Sequence, residues 1–166
     1  QAQGLQLDCG DSGATDHLHD AAHNECLYNT RPSNTSYKIA DGNSLHADLE
    51  GDMDITVLNL YNQHGAPLYT PLTIHVTTAN GVGQSLWSLE QEYRDNGYDI
   101  HMSHGYSDGD FTGMYRPPEA GQMKKHGKVY GGESFIPMVY NWQGCSGWRV
   151  PHIIRRPGIS DEQHVA

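Results

Sequence analysis

The residues best suited to chemistry near the start of the chain form the run Asp11-Ser12-Gly13-Ala14-Thr15. This run follows residues 5–10, in which apolar and polar side chains alternate as they do in a half-buried strand. A carboxylate followed by a hydroxyl and a glycine predicts a tight turn that exposes the acid, so that a second carboxylate can approach it. Two carboxylates that share one proton can act together as general acid and general base on a water molecule.

A histidine-rich stretch directly after this turn is a second candidate. His17, His19 and His23 lie close together in the chain, with Asp16 and Asp20 beside them. His19 and His23 are four residues apart and would share one face if the segment were helical, which is a spacing that can chelate zinc or copper. Scattered surface imidazoles without a role are the alternative for this histidine-rich chain.

Two acidic runs could supply oxygen ligands to calcium. Asp108-Gly109-Asp110 and Asp52-Met53-Asp54 both offer carboxylate oxygens. Neither run has the full ligand spacing of a recognised calcium loop, so we expect a solvated turn at each.

The longer run, residues 11–18, resembles the active-site signature of retroviral and retrotransposon aspartic proteases, and in particular that of the copia-type retrotransposon protease. That signature typically reads Asp-Ser-Gly-Ala-Ser/Thr-x-His-Met/Leu, and it includes a histidine at the position of His17. Further segments resemble the same family in the same order along the chain. They are residues 37–43, 49–55, 72–76, 85–93, 96–102, 136–140 and 147–151.

The resemblance implies an aspartic endopeptidase that cleaves a polyprotein and requires no cofactor. Asp11 would be the catalytic acid and base, Ser12 would hydrogen-bond across a dimer axis, and Gly13 would allow close backbone approach to the carboxylate. Because the chain holds one clear Asp-Ser-Gly motif, the second carboxylate would have to come from another copy in a homodimer. A monomer would be inactive.

Substrate contacts are implied at three further positions. Thr15 would anchor the active-site turn, while Asp41 and Gly42 would form the tip of a flap that closes over an extended peptide. The flanking segments 37–40 and 44–50 predict a hairpin around this tip, since Asp-Gly tolerates positive φ. A plain hairpin tip without a role in binding is the alternative.

The expected fold is mostly β: a small retropepsin-like β-barrel with one short helix and a C-terminal accessory hairpin. The helix is predicted over residues 85–95 with Gly97 as its stop. Residues 16–27 are predicted as a loop or short helical turn, and residues 117–132 as an exposed polar loop. The other predicted strands are residues 53–61, 72–78, 98–103, 111–116, 134–140 and 147–153.

Composition agrees with one domain, predicted over residues 1–154 with a peripheral arm over 155–166. Nineteen glycines and eight prolines among 166 residues favour short strands and many turns. The formal net charge of −10 disfavours direct binding to nucleic acid. The sequence contains no apolar stretch long enough to predict a membrane span.

The three cysteines, Cys9, Cys26 and Cys145, allow one bridge with a free thiol, or three thiols. Cys26 and Cys145 are the better candidates for a bridge, since Cys9 lies in the strand that leads to the active-site turn. The run Asn34-Thr35-Ser36 fits the glycosylation acceptor pattern, which matters only in a secreted chain. The compartment stays open: intracellular for a mobile-element protease, extracellular for a structural protein.

The alternative function is a retropepsin-like domain without catalysis that serves as a structural protein. Exposed strand edges are templates for pairing between chains, and open head-to-tail contacts between copies produce filaments. A homo-oligomer or filament is therefore the rival to the protease dimer.

Overall fold

The computed structural model describes residues 4–38, 42–58, 69–102, 112–116, 123–125, 128–130 and 135–157. The chain is mostly β, as the sequence predicts. The strands are β1 Leu5–Asp11, β2 His17–Asp20, β3 Leu27–Pro32, β4 Ser36–Lys38, β5 Ser44–Leu58, β6 Tyr69–Ala79, β7 Leu86–Ser88, β8 Asp99–His101, β9 Gly113–Tyr115, β10 Met123–Lys125, β11 Lys128–Tyr130, β12 Phe135–Pro137, β13 Val139–Tyr140 and β14 Trp148–Ile154. The α-helix α1 is Leu89–Asn96, and 3₁₀ helices cover Ala21–Cys26 and Trp142–Gly144. None of the described helices has the length and apolar character needed to cross a membrane.

One large sheet organises these strands. Its order is β13-β14-β1-β7-β2-β6-β5-β3, with β4 paired to β5. The pairs β1–β7 and β2–β6 are parallel, whereas β5 and β6 form a long antiparallel pair. An additional antiparallel pairing joins β14 to β5, which lies far along the same path. Two smaller sheets contain β12-β9-β8 and β10-β11.

Period-two alternation explains the long strand β5. Gly51, Met53 and Ile55 are buried, whereas Asp52 and Asp54 between them are partly exposed. This is the pattern of a strand with one face in the core. The buried side chains of neighbouring strands complete the core cluster, which includes Ile74, Val76, Trp87, Leu89, Tyr98, Met114, Ile136, Met138, Val150 and Ile154.

The helix begins later than predicted, at Leu89, because Leu86–Ser88 forms a strand. This strand pairs in parallel with β1, and Asp11 lies opposite Ser88. Ser88 then caps the helix, since its hydroxyl accepts a 2.9 Å hydrogen bond from the Gln91 amide. The stop is confirmed: Gly97 takes a left-handed conformation with φ 73°.

Two predicted loops contain regular structure. The stretch 16–27 includes strand β2, which pairs with β6, followed by the 3₁₀ helix Ala21–Cys26. The predicted loop 117–132 includes the antiparallel strands β10 and β11. The predicted helical turn is therefore present within 16–27, whereas the polar composition of the two stretches did not indicate their strands, which lie in different sheets.

The closing hairpin is shorter than predicted. β13 pairs with β14, but β12 pairs with β9 in a separate sheet. The predicted domain boundary falls where β14 ends, at Ile154, and residues 158–166 lie outside the described part of the chain. Cys9, Cys26 and Cys145 are all free, so the candidate bridge between Cys26 and Cys145 is not formed.

Candidate functional site

The Asp-Ser-Gly turn lies at the end of β1. The Gly13 amide donates a 2.8 Å hydrogen bond to Oδ1 of Asp11, which closes an Asx turn. The Ser88 hydroxyl donates to the Ala14 carbonyl at 2.7 Å and thereby holds the turn to the start of α1. Ser12 is exposed at the tip. The turn is therefore built from both its own residues and the strand beside it.

A groove of about 700 Å³ opens over this turn. Of the residues predicted for the active-site turn, Asp11, Gly13 and Thr15 line this groove, whereas Ser12 does not. Gly42 takes φ 88° in the hairpin between β4 and β5 but does not line the groove, and Asp41 lies outside the described residues. The remaining lining residues are Ala14, Asp16, Leu18, Ser36, Tyr37, Lys38, Leu45, Gly81, Val82, Gly83, Gln84 and Leu86.

The hairpin wall of the groove is tied to the segment that follows Asp11. The Tyr37 hydroxyl donates to Oδ2 of Asp16 at 2.8 Å. Burial and the neighbouring Asp16 carboxylate raise the pKa of Tyr37 to about 12, against a smaller opposing effect of Thr77. The phenol therefore stays protonated and able to donate. Arg94 of α1 reaches the same segment, with Nη1 at 3.4 Å from the Thr15 carbonyl.

The loop after β6 forms another wall. Oδ1 of Asp20 accepts hydrogen bonds from the amides of Gly81 and Val82, at 3.1 and 3.2 Å. Oδ2 of the same carboxylate caps the 3₁₀ helix through the Ala22 amide at 2.9 Å. These amides stabilise the charged form, so the pKa of Asp20 is lowered. Asp20 thus connects the histidine-rich segment to the groove.

His17 is a buried structural bridge. Its Nδ1 accepts from the Ser88 amide at 2.9 Å, so its Nε2 carries the proton and donates to Glu92 at 2.8 Å. Its own amide donates to Oε1 of Gln91 at 2.9 Å. Both ring nitrogens are therefore engaged away from the other two histidines, and the predicted ligand set of His17, His19 and His23 does not converge.

His19 and His23 do meet, although not on one helical face. His19 lies in β2 and His23 in the 3₁₀ helix, and their Nδ1 atoms are 2.8 Å apart. Nε2 of His19 is 2.7 Å from Oδ2 of Asp8, and Nε2 of His152 is 3.8 Å from the same oxygen. We call Asp8, His19 and His152 the buried triad, because all three are buried.

Sequence reasoning missed two members of this triad. The alternation over residues 5–10 predicts that the apolar side chains face the core, but the buried residue of β1 is Asp8. The signal was a carboxylate at the centre of the strand, between the apolar residues Leu7 and Cys9. His152 gave a similar signal in the last strand, where Pro151 and Ile153 flank it.

Two members of the triad, Asp8 and His152, have shifted pKa values. Burial raises the pKa of Asp8, but the adjacent His19 and His152 outweigh that effect and bring it to about 2. Burial lowers the pKa of His152, with Asp8 acting in the opposite direction. At neutral pH the triad therefore holds an ionised carboxylate beside a neutral imidazole on β14.

The acidic run in β5 is engaged in hydrogen bonds within the sheet. Oδ1 of Asp54 accepts from the hydroxyls of Tyr28 and Thr73, each at 2.7 Å, and Oδ2 of Asp52 accepts from Asn29 at 3.1 Å. This run lies in a strand rather than in the solvated turn expected from the sequence. The second acidic run, residues 108–110, lies outside the described residues.

Protein-family models, curated proteins and solved structures were all compared with the chain, and none matches it. What the chain does must therefore be inferred from its own residues.

Proposed function

We propose that the chain is an aspartic endopeptidase of the copia retrotransposon type, with a retropepsin-like β-barrel, that cleaves a polyprotein as a homodimer. The observation that carries this proposal is the position of Asp11. Its carboxylate stands at the end of a strand, on a turn closed by the Gly13 amide, in the wall of a large groove. This is where the reaction requires an accessible acid.

The chemistry needs a second Asp11 from the partner copy. Two carboxylates about 3 Å apart cannot both be ionised, so they share one proton. The ionised carboxylate takes a proton from a water molecule while that water attacks the scissile carbonyl. The protonated carboxyl donates a hydrogen bond to the carbonyl oxygen. In each copy the Gly13 amide donates to one oxygen of that copy's own Asp11, which fixes the orientation of the carboxylate.

The groove is suited to an extended peptide. Tyr37 and Leu45 bring the β4–β5 hairpin to one wall, and Leu86 supplies an apolar surface beside the turn. A strand-like peptide satisfies its backbone through main-chain hydrogen bonds and is selected by pockets for its side chains. The pairing of β14 with both β1 and β5 supports a barrel-like sheet behind this groove.

Incubation with a mixed peptide library at pH 4–6 tests the proposal. We expect cleavage that a transition-state-mimicking hydroxyl inhibitor blocks and that Asp11→Asn abolishes. Asp99→Asn is the matched control, because it makes the same change at an exposed residue of β8 that does not line the groove. It should cleave as the wild type does. Sedimentation of the same samples should show a dimer.

Two results would overturn the protease proposal: no inhibitor-sensitive cleavage by the wild type, or equal cleavage by Asp11→Asn. Open-ended assembly without cleavage would instead support the non-catalytic structural alternative.

A further inference from the structure

We propose that the buried triad, Asp8, His19 and His152, is a binding site for a divalent transition-metal ion, with zinc as its typical occupant. One ligand atom from each residue lies within 4.8 Å of the others. Two imidazole nitrogens and a carboxylate oxygen are a donor set that zinc and related ions favour. The site does not depend on the proposed peptidase activity.

Three strands carry the ligands to one point. Asp8 of β1 lies opposite Val150 of β14, and His152 follows two residues later on the same face. His19 comes from β2, which like β1 pairs with the short strand β7. Ligands on paired strands are more rigid than ligands on loops, which favours a fixed coordination geometry.

Unpaired polar atoms point to a ligand that the protein itself does not supply. Among the described residues, neither Oδ1 of Asp8 nor Nε2 of His152 has a hydrogen-bond partner, although both atoms are buried. Buried carboxylate and imidazole atoms without partners are rare, because both lose their contacts with water on folding. A cation held by Nε2 of His152 and by both carboxylate oxygens of Asp8 satisfies both atoms.

The tautomer of His152 suits coordination. Its Nδ1 is 2.9 Å from the Val150 carbonyl oxygen, which can only accept. Nδ1 therefore carries the proton, and Nε2 presents its lone pair to the triad. A ring oriented by a backbone carbonyl in this way is the usual arrangement of a metal-binding histidine.

His23 orients the His19 ring in a similar way, through a hydrogen bond to the ring nitrogen that does not bind the metal. When Nε2 of His19 binds the metal, its Nδ1 donates the 2.8 Å hydrogen bond to Nδ1 of His23. His23 is therefore a positioning residue rather than a ligand. This separates the triad from the ligand set predicted from the sequence.

The distances match coordination after small shifts. Ligand atoms on a tetrahedral zinc with bonds of about 2.0–2.1 Å lie roughly 3.3 Å apart. Oδ2 of Asp8 lies 2.7 Å from Nε2 of His19 and 3.8 Å from Nε2 of His152, values on either side of that spacing. Metal binding requires that the proton which Nε2 of His19 now donates to Asp8 leaves this nitrogen.

Zinc titration of the full chain, stripped with chelator and free of an affinity tag, tests the proposal. We expect a single tightly bound zinc ion per chain, retained on gel filtration, with a rise in Tm. His152→Ala should remove this binding, and His23→Ala should weaken it about 10- to 100-fold. His46→Ala is the matched control, because His46 is an exposed histidine of β5 that bonds Ser36. It should bind zinc as the wild type does.

A second measurement keeps the proposal testable if His152→Ala does not fold. The Trp87 ring lies 5.7 Å from the His152 ring, so copper or cobalt in the triad should quench the fluorescence of Trp87. Trp87→Phe should remove this quenched component. Absence of stoichiometric zinc binding by the wild type, unchanged zinc affinity in a folded His152→Ala, or no difference in metal-induced quenching between wild type and Trp87→Phe overturns the proposal.

Discussion

The hydroxyl of Tyr37 donates a 2.8 Å hydrogen bond to Asp16, and this bond joins the β4–β5 hairpin to the segment that follows Asp11. The two residues line the same groove. A single hydrogen bond therefore couples the wall that would cover a peptide to the turn that would cleave it.

Tyr37→Phe should lower the free energy of unfolding by about 1 kcal/mol, since it removes a partly buried bond to a carboxylate. It should also raise the KM for peptide substrates, because the hairpin loses its link to the turn. Urea unfolding and steady-state kinetics measure the two effects. Tyr69→Phe, at an exposed tyrosine of β6, is the control, and an equal loss in both variants would show that the bond contributes nothing.

His17→Ala should cost about 3 kcal/mol or more of unfolding free energy, because it leaves the buried Glu92 carboxylate without its 2.8 Å partner. The exposed His46→Ala should change the free energy little. A double-mutant cycle with Glu92→Ala, in which urea unfolding measures the stability of each variant, gives the interaction energy between His17 and Glu92. Additive losses in that cycle would contradict a direct interaction.

Asp20→Asn should destabilise the chain in a pH-dependent manner. The backbone amides of Ala22, Val82 and Gly81 lower the pKa of folded Asp20 below its ordinary 3.8, so the charged form stabilises the fold. This contribution is present above pH 3.8 and is lost as the pH falls through the folded pKa.

The Tm difference between wild type and Asp20→Asn should therefore be largest near neutral pH and should narrow in acid. Thermal melts from pH 3 to pH 7 measure it, with Asp99→Asn as the control. A Tm difference between wild type and Asp20→Asn that grows as the pH falls would contradict a stabilising role of the charged Asp20 carboxylate.

Gly51→Ala should destabilise the chain by about 1–3 kcal/mol through overpacking. A Cβ atom on Gly51 would lie 2.8 Å from the Tyr28 carbonyl oxygen, where the register of β3 and β5 shifts. Gly83→Ala adds the same group in open space and should be tolerated. Chemical denaturation compares the two variants, and equal stability would show that β3 moves aside without cost.

Much of the fold follows from local pattern. Alternation predicts β6 and, as the two separate segments 44–50 and 53–61, the continuous strand β5. Asp-Gly predicts the hairpin between β4 and β5, and Gly97 predicts the helix end. The strand partner of a segment cannot be predicted from its local pattern. Leu86–Ser88 therefore fits a helical pattern in the sequence, although in the structure it forms a strand that pairs with β1.

The site could be predicted only in part for the same reason. The groove residues Asp11, Gly13 and Thr15 are close in sequence, and the Asp-Ser-Gly run itself predicts the turn that carries them. The buried triad joins Asp8 to His152, and only the pairing of the first strand with the last brings them together.

A subunit-mixing experiment tests the central claim, that one Asp11 from each of two copies forms the active site. Wild-type chain is allowed to exchange with an equal amount of Asp11→Asn chain, and peptide cleavage is compared with that of the same wild type alone. Random pairing into inactive mixed dimers should reduce activity to about half. Activity that stays unchanged, after exchange of subunits has been verified, would contradict a shared pair of carboxylates.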